Sequence, residues 1–328
     1  YIIDRADRIW NACGYGPGGG FPIVINLSYG LKAGPKDGHM LIEEVIRAAT
    51  HRAAETGRQI QVILPAGNDL LSEGVAEFDV PANTSETLDW RIRPEDHTPN
   101  FAEIWSGTVN GDGGNQPRHP LSVRVAPPLG PASPAGAGRA GQIATLTDDD
   151  DPGKPLARIY CRKHGNRPPG SPSGPPWHRV GYYLCTAPTL ELDRIDGAPA
   201  GRWSIAVDRA GRNAERAYAY VQSDQTLTFG SVTGLLSTFD HPGFDAYDEA
   251  GRAIDACDDP DDGTVPAITD VPPPITRRGS LNAIGSHAES RVIGSYRASD
   301  GKPSTFSSAA SSEPVGDGRA APTAVLPG

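Results

Sequence analysis

The sequence has a single methionine, Met40, and four cysteines. Cys13, Cys161, Cys185 and Cys257 lie far apart, with no C-x-x-C and no Cys/His cluster of zinc spacing, which excludes a zinc-ribbon or dithiol redox site. A Cys161–Cys185 pair within one domain and isolated thiols are both compatible with these positions, so the redox compartment stays open. No window of 18 apolar residues exists, so no helix is expected to span a membrane. Basic residues are in the minority, 30 Lys and Arg against 40 Asp and Glu, for a net charge of −10. No basic stripe with interleaved aromatics offsets that balance, which excludes a nucleic-acid or anionic-membrane surface. The start carries neither an initiator methionine nor a signal-peptide layout. It opens on a helical pattern, "YIIDRADRIWNAC", and stops at "TAVLPG"; this layout predicts an internal fragment of a longer polypeptide.

What is present is a globular composition with many turns. Hydrophobic residues are 37% and charged residues 21% of 328, with 39 glycines and 32 prolines. That length suffices for one large or two ordinary domains. Residues 1–76 alternate helix and strand signals. Ile2, Ile3, Ile9 and Trp10 fall on one face of the opening helix, and "GYGPGGG" (Gly14–Gly20) breaks the chain. Ile23–Leu27 is a short β-branched run, the mark of a strand covered on both faces. Leu41, Ile42, Val45, Ile46 and Ala49 then repeat at helical spacing, with Asp37 as cap and Gly57 as stop. A second strand, Ile60–Leu64, follows. The unit reads β-α-β, so its strands should run parallel with a right-handed crossover. Their carboxyl ends would open on one edge of the sheet, where open α/β sheets bind ligands. "SYG" (Ser28–Gly30) and "PAGN" (Pro65–Asn68) should lie there together, although Gly-Asn-Asp is also ordinary turn chemistry.

Residues 77–275 change character. Short alternating stretches stand between Pro/Gly clusters and place Trp90, Ile92, Phe101, Ile104, Trp105, Val123, Val125, Trp203, Ile205 and Val207 on the inner faces of an antiparallel sandwich. "PPLGPASPAGAGRAG" and "GNRPPGSPSGPPW" read as mobile Pro/Gly-rich loops. Residues 276–328 resume the first style, with a small-residue turn, an apolar strand at Arg291–Tyr296 and a Ser-rich turn.

Three of these stretches together resemble the subtilisin-like serine peptidases (subtilases, peptidase family S8). "VINLSYG" (Val24–Gly30) is similar to the V-I-N-x-S-x-G strand that lines the substrate cleft. "VILPAGND" (Val62–Asp69) is similar to the apolar strand ending in A-G-N, whose Asn completes the oxyanion hole. "RVIGSYRASDGKPSTFSSAAS" (Arg291–Ser311) is similar to the strand and Phe-Ser turn that follow, with Ala309-Ala310 where the family pattern has glycine. The likeness covers about 130 of the 328 residues, in the first and third segments. The middle would be an insertion, and "TLDWRIRPEDHTPNFAEIW" resembles the inserted β-sandwich of some large bacterial members. The resemblance therefore implies an α/β fold: an incomplete parallel-sheet core, residues 1–76 and 276–328, carrying an inserted antiparallel β-sandwich, residues 77–275.

By resemblance, Asn68 supplies an oxyanion donor, and Gly67 lets the backbone turn so that its amide faces the cleft. Ser28, Tyr29 and Gly30 offer backbone groups to an extended substrate, and Pro65 and Ala66 form part of the primary specificity wall. The triad that peptide hydrolysis needs is absent from this stretch. No D-[ST]-G or G-H-G-T precedes Val24, and no G-T-S-x-A follows Arg291. His39, His51, His97, His119, His164, His178, His241 and His287 lack a G-H-G context and read as structural or solvent-facing. The fragment alone is thus expected to be inert, and its parent to be a serine endopeptidase acting on a protein or peptide substrate without a cofactor. Export to the cell envelope or medium is implied only by the family.

Other features carry less. "GYGPGGG" precedes a strand and lacks G-K-[ST], so it is no phosphate loop. "DDDD" (Asp148–Asp151) and "DACDDPDDG" (Asp255–Gly263) lack EF-hand spacing and read as solvated acidic loops, so no calcium ligands are assigned. A different class of protein also fits: a non-catalytic β-sandwich of adhesion or lectin type on a scaffold that has lost its chemistry.

Overall fold

The structure, a computed structural model, describes the chain except residues 17–18, 56, 108, 111–120, 129–135, 150, 152, 167–176, 191–196, 223–233, 245–273, 288 and 312–317, and the side chains of 109–110, 166 and 177–178. Residues 129–135 of the first Pro/Gly-rich loop and 167–176 of the second fall outside the described residues, as do His119, Cys257 and the acidic run 255–263.

Helix α1 (Ile2–Ala12), strand β1 (Ile23–Asn26), helix α2 (Leu41–Glu55) and strand β2 (Ile60–Pro65) come first. Strands follow in series: β3 (Val75–Val80), β4 (Ser85–Ile92), β5 (Asn100–Ser106), β6 (Val109–Asn110), β7 (Leu121–Ala126), β8 (Ile143–Thr147), β9 (Pro155–Asn166), β10 (Trp177–Thr186), β11 (Gly201–Arg209), β12 (Glu215–Gln222) and β13 (Thr238–Asp240). The last strands are β14 (Arg291–Tyr296) and β15 (Ala324–Pro327).

The expected fold class, an α/β protein built on a parallel-sheet core, is overturned. Of the described residues 41% are in strands and 12% in helix, with two α-helices, and antiparallel sheets dominate. One sheet runs β3-β12-β5-β10-β9-β8, with β6 on β10, and a second runs β13-β4-β11-β7. Parallel pairing is confined to four short strands in the order β1-β2-β14-β15. The physical reason is where the apolar surface goes. A parallel sheet needs helices over its faces, and among the described residues only α2 is supplied as a crossover, whereas the alternating strands of the middle of the chain bury most of the large side chains between two antiparallel sheets.

Several local expectations change with it. Leu41 and Val45 of α2, placed on a packed face, are 81% and 59% exposed, and the helix buries Glu43 and Ala53 instead. Asp37 does not cap α2; the carboxylate that reaches back to the N–H of Met40, just before the helix, is that of Glu43, at 3.1 Å. Gly57 does follow the helix in a left-handed conformation, φ +73°, the conformation that ends helices. Cys161 and Cys185 are unbridged thiols.

The sandwich core holds Trp90, Ile92, Ile104, Val123, Val125, Trp203, Ile205 and Val207. Phe101 and Trp105, expected there too, lie elsewhere. On β5 the residues alternate, Ala102 and Ile104 pointing into the core and Phe101, Glu103 and Trp105 away from it. Phe101 is 38% exposed, while Trp105 is buried in a separate cluster with Ala33, Val75, Tyr218 and Tyr220. The outer face of this sheet is therefore covered by the segment after β1. Gly181, opposite Trp105 on β10, makes that possible: a Cβ there would meet the indole at 2.8 Å.

Candidate functional site

β1 and β2 are parallel, with Ile23 opposite Ile60 and Asn26 opposite Ile63. Their carboxyl ends leave the sheet on the same edge, which brings 28–30 and 65–68 together. The residue that joins them is Asn282, buried at the start of a short 3-10 turn. Its Nδ2 donates to the carbonyls of Tyr29 (3.0 Å) and Pro65 (3.1 Å), and its backbone N–H to that of Ala66 (2.7 Å). Its Oδ1 accepts from Leu31 N–H (3.1 Å) and Ile284 N–H (3.3 Å). One amide thus uses both its donor and its acceptor ends on backbone groups of three chain segments. Gly30 is where it is because Asn282 lies there: a Cβ would sit 3.0 Å from the amide carbon.

Ser28, Tyr29 and Gly30 are exposed. Tyr29 commits its backbone inward, its N–H donating to Leu27 O at 2.8 Å and its carbonyl accepting from Asn282. Among the described residues, Ser28 and Gly30 have no backbone hydrogen bond. Two open positions spaced two residues apart match the period at which an extended strand presents its hydrogen-bonding groups.

On the second strand, Ala66 is buried in a small apolar cluster with Leu64, Leu281, Ile284 and Val292, and Pro65 is half-buried. Gly67 takes φ +110°, open to glycine and strained for other residues. A Cβ there would meet Ser308 Oγ at 2.8 Å. Ser308 clamps the turn from the other side: its N–H donates to Gly67 O (3.0 Å), and its Oγ accepts from Asp69 N–H (2.8 Å). Asp69 in turn pairs with Lys32 at 2.8 Å. Between these fixed neighbours Asn68 is exposed, and among the described residues its amide makes no hydrogen bond. A side-chain donor held on a rigid turn beside an open backbone edge can bind a carbonyl oxygen and favour negative charge on it.

The sequence did not mark Asn282, Ser308 or Lys32. For Asn282 a signal existed, a cap-type residue before the small-residue turn "AIG".

The segment 31–40 between this edge and α2 is pinned to the outer face of the sandwich. Arg179, fully buried, donates from Nε to Ser106 O (2.8 Å) and from Nη1 to Pro35 O. Ala33 N–H donates to Gln222 Oε1 (3.1 Å), and Lys36 Nζ to Gly279 O (2.6 Å). Burial pushes the Lys36 ammonium down to about 7, against the raising influence of Asp69, Glu77 and Glu103. Asp37 is also fully buried, and burial acts to raise its carboxyl, but His164 and the Arg179 guanidinium outweigh it and hold it below the usual range. The His164 Nε2 to Asp37 separation of 3.6 Å is an ion-pair distance, too long for a hydrogen bond. Glu43 moves the other way: burial raises it, despite hydrogen bonds from the N–H groups of His287 and Met40 and from Ser286. Among the described residues no group of three or more His, Cys, Asp or Glu could hold a metal ion, and no helix is long and apolar enough to cross a membrane.

No protein-family model matches the sequence, and no curated protein matches it. Among solved structures the fold matches that of the Clostridium perfringens CspB protease, with a TM-score of 0.58 and 15% identity over 99% of this chain. The chain spans about half of that protein, 51% of its length. The fold is thus that of a stretch of a protease; at this identity the likeness is one of fold alone.

Proposed function

We propose that this chain carries the substrate-binding edge and one oxyanion donor of a serine endopeptidase of the subtilisin type. In this reading residues 77–275 form an insertion within the catalytic region, 1–76 and 276–328. The observation that carries it is the pairing of two features on one rigid edge: open backbone groups at Ser28 and Gly30, and the free Asn68 amide beyond Gly67. A peptide laid along 28–30 as an added strand would present its carbonyls toward the 65–68 turn. The fold likeness to a protease supports the same class of substrate. The nucleophile, base and orienting acid would come from other parts of the polypeptide, since none of their motifs lies within these residues.

The test is a peptide-hydrolysis assay on the product of the complete reading frame, with Asn68→Ala as the variant. Removing one such donor lowers kcat by about 10²–10³-fold, a figure established on a subtilisin itself. Thermal stability should stay within about 0.5 kcal/mol, because the side chain is exposed and makes no hydrogen bond among the described residues. Equal turnover of variant and parent overturns the oxyanion role, and absence of peptidase activity in the complete product overturns the reading as a whole.

A further inference from the structure

Beside Tyr29–Leu31 a cavity of about 430 Å³ lies between the segment 29–40 and the outer face of the sandwich. One wall is Tyr29, Leu31 and Met40; the other is Glu103, Trp105 and Tyr183. Its lining is mostly apolar and aromatic, Gln222 adds an amide, and Glu103 is the one charged side chain among the described residues that form it. The carboxylate is held in place: Trp105 Nε1 donates to Oε2 at 2.8 Å, and among the described residues no other hydrogen bond reaches the group. Tyr183 on β10 and Tyr220 on β12 stand directly opposite Glu103 on the strands to either side, so both share its face of the sheet. Trp105 and Tyr183 meet edge to face with centroids 5.6 Å apart.

We propose that Glu103, Trp105 and Tyr183 form a pocket for a cationic side chain, lysine or arginine, of a peptide bound along Ser28–Gly30. This rests on the peptide-binding reading above and gives the sandwich a part in choosing the peptide. The chemistry is complementary at both ends. Aromatic and aliphatic walls take the methylene stem, the ring faces attract a cation, and the carboxylate meets the charged head. An uncharged side chain would offer the Glu103 carboxylate nothing beyond the Trp105 hydrogen bond, and an acidic one would face a like charge.

The charged groups around Glu103 make the preference depend on pH. Burial pushes Glu103 up to about 7, and the Trp105 hydrogen bond, then Lys36 and His164, pull it back. Lys36, beyond the cavity lining, sits over the Tyr220 ring and is itself pushed down to about 7 by burial. Tyr183 is raised far above the ordinary phenol, first by burial and then by Glu103, so it stays neutral. As pH rises through neutrality Glu103 gains its charge and Lys36 loses its own, and both changes favour a bound cation.

The experiment uses the 328-residue chain and two probes, Nα-acetyl-lysine methylamide and Nα-acetyl-norleucine methylamide, which share a stem and differ in the ammonium. Binding is followed by NMR at the Trp105 indole N–H, assigned with Trp105→Phe. The lysine probe should bind about tenfold more tightly than the norleucine probe near pH 8, and about twofold near pH 6. Glu103→Gln, which keeps an acceptor for the indole, should abolish the difference. Equal binding of the two probes to the parent chain near pH 8, binding of neither, or a lysine preference that survives Glu103→Gln overturns the pocket. A peptide of alanine and norleucine, carrying no cation, reads the underlying peptide site separately through the amides of Ser28 and Gly30. If it shifts those amides while the lysine probe shows no preference, the pocket falls and the peptide edge stands. If the lysine probe binds while no peptide shifts the edge, the pocket stands as a cation site and the peptide reading falls.

Discussion

The sandwich and the parallel layer solve the same problem, hiding apolar surface, with unequal success. Between the two antiparallel sheets the core is continuous, and its centre is a cross-strand row: Trp203 opposite Trp90, and Phe239 opposite Trp90 on the other side. All three rings are fully buried. The parallel layer has a small core around Leu64, Leu281, Ile284 and Val292, while Val24, Leu41, Val45, Val325 and Leu326 stay exposed. Its coherence rests on polar clamps, Asn282 and Ser308 above all. One region is held by burial and the other by directed hydrogen bonds, and the second holds the candidate site. Directed bonds fix a geometry to within a few tenths of an ångström, which suits a turn that must aim one amide.

The difference can be broken most forcefully at the sandwich centre. Trp203→Ala removes a fully buried indole whose Nε1 donates to Pro199 O at 2.9 Å. It should lower unfolding free energy by about 3–5 kcal/mol in a urea titration. A loss below about 1 kcal/mol would show that the two sheets do not depend on that row.

Next in size is the charge buried where the two regions meet. Glu103 keeps its proton to about pH 7 in the folded state, whereas in the unfolded chain it titrates near the ordinary carboxyl value. The native state therefore binds more protons than the unfolded state between those values, and stability falls as pH rises from about 4.5 to about 7, by on the order of 3 kcal/mol. Lys36, lowered to about 7, acts in the next window. There the native state binds fewer protons, so stability recovers as pH rises from about 7 toward 10. Glu103→Gln should flatten the first slope and, by removing a charge that holds Lys36 up, carry the second to lower pH. An unchanged slope between pH 4.5 and 7 in that variant assigns the titration to other groups.

Asn282→Ala attacks the parallel layer by its own logic. It leaves the carbonyls of Tyr29 and Pro65 without this donor, and the N–H groups of Leu31 and Ile284 without this acceptor. A loss of about 2 kcal/mol is expected. The clearer sign is local: hydrogen exchange at Leu31 should speed up strongly while the amides of β11 keep their protection. Equal acceleration in both regions would mean that they unfold as one unit.

The sequence made these regions unequally legible, for physical reasons. Period-two alternation survives in most of the strands of the middle segment, so the pattern alone assigns Trp90, Trp203, Ile205 and Val207 to a core. The misreading of Trp105 goes against that alternation: Ile104 and Trp105 are neighbours on β5 and must face opposite ways, and because both faces of the sheet are covered each is buried on its own side. The apolar periodicity of α2 suggested a buried helix in an α/β layer, yet periodicity carries no information on whether a partner surface exists. The segments 28–30 and 65–68 could be placed on one edge because a crossover connection leaves little choice. Asn282 could not be found, since its contacts span more than 200 positions and its neighbours "GSL" and "AIG" look like any turn.

The smallest effect sharpens the contrast from the exposed side. In the parallel layer Leu41 and Val45 lie one turn apart on α2, both facing outward. Replacing both with glutamate removes little buried area, and the better helix propensity of Glu over Val offsets the like-charge pair formed at i,i+4. Two more negative charges join a chain already at −10, a repulsion that salt screens. The double variant should stay within about 0.5 kcal/mol of the parent in urea. The same double change at Ile205 and Val207, both fully buried on β11, should prevent folding, because two carboxylates would enter a core with no partner for them. If instead Leu41→Glu with Val45→Glu destabilises the chain by more than about 1.5 kcal/mol, that helix face is covered in solution and the layer is held by burial after all.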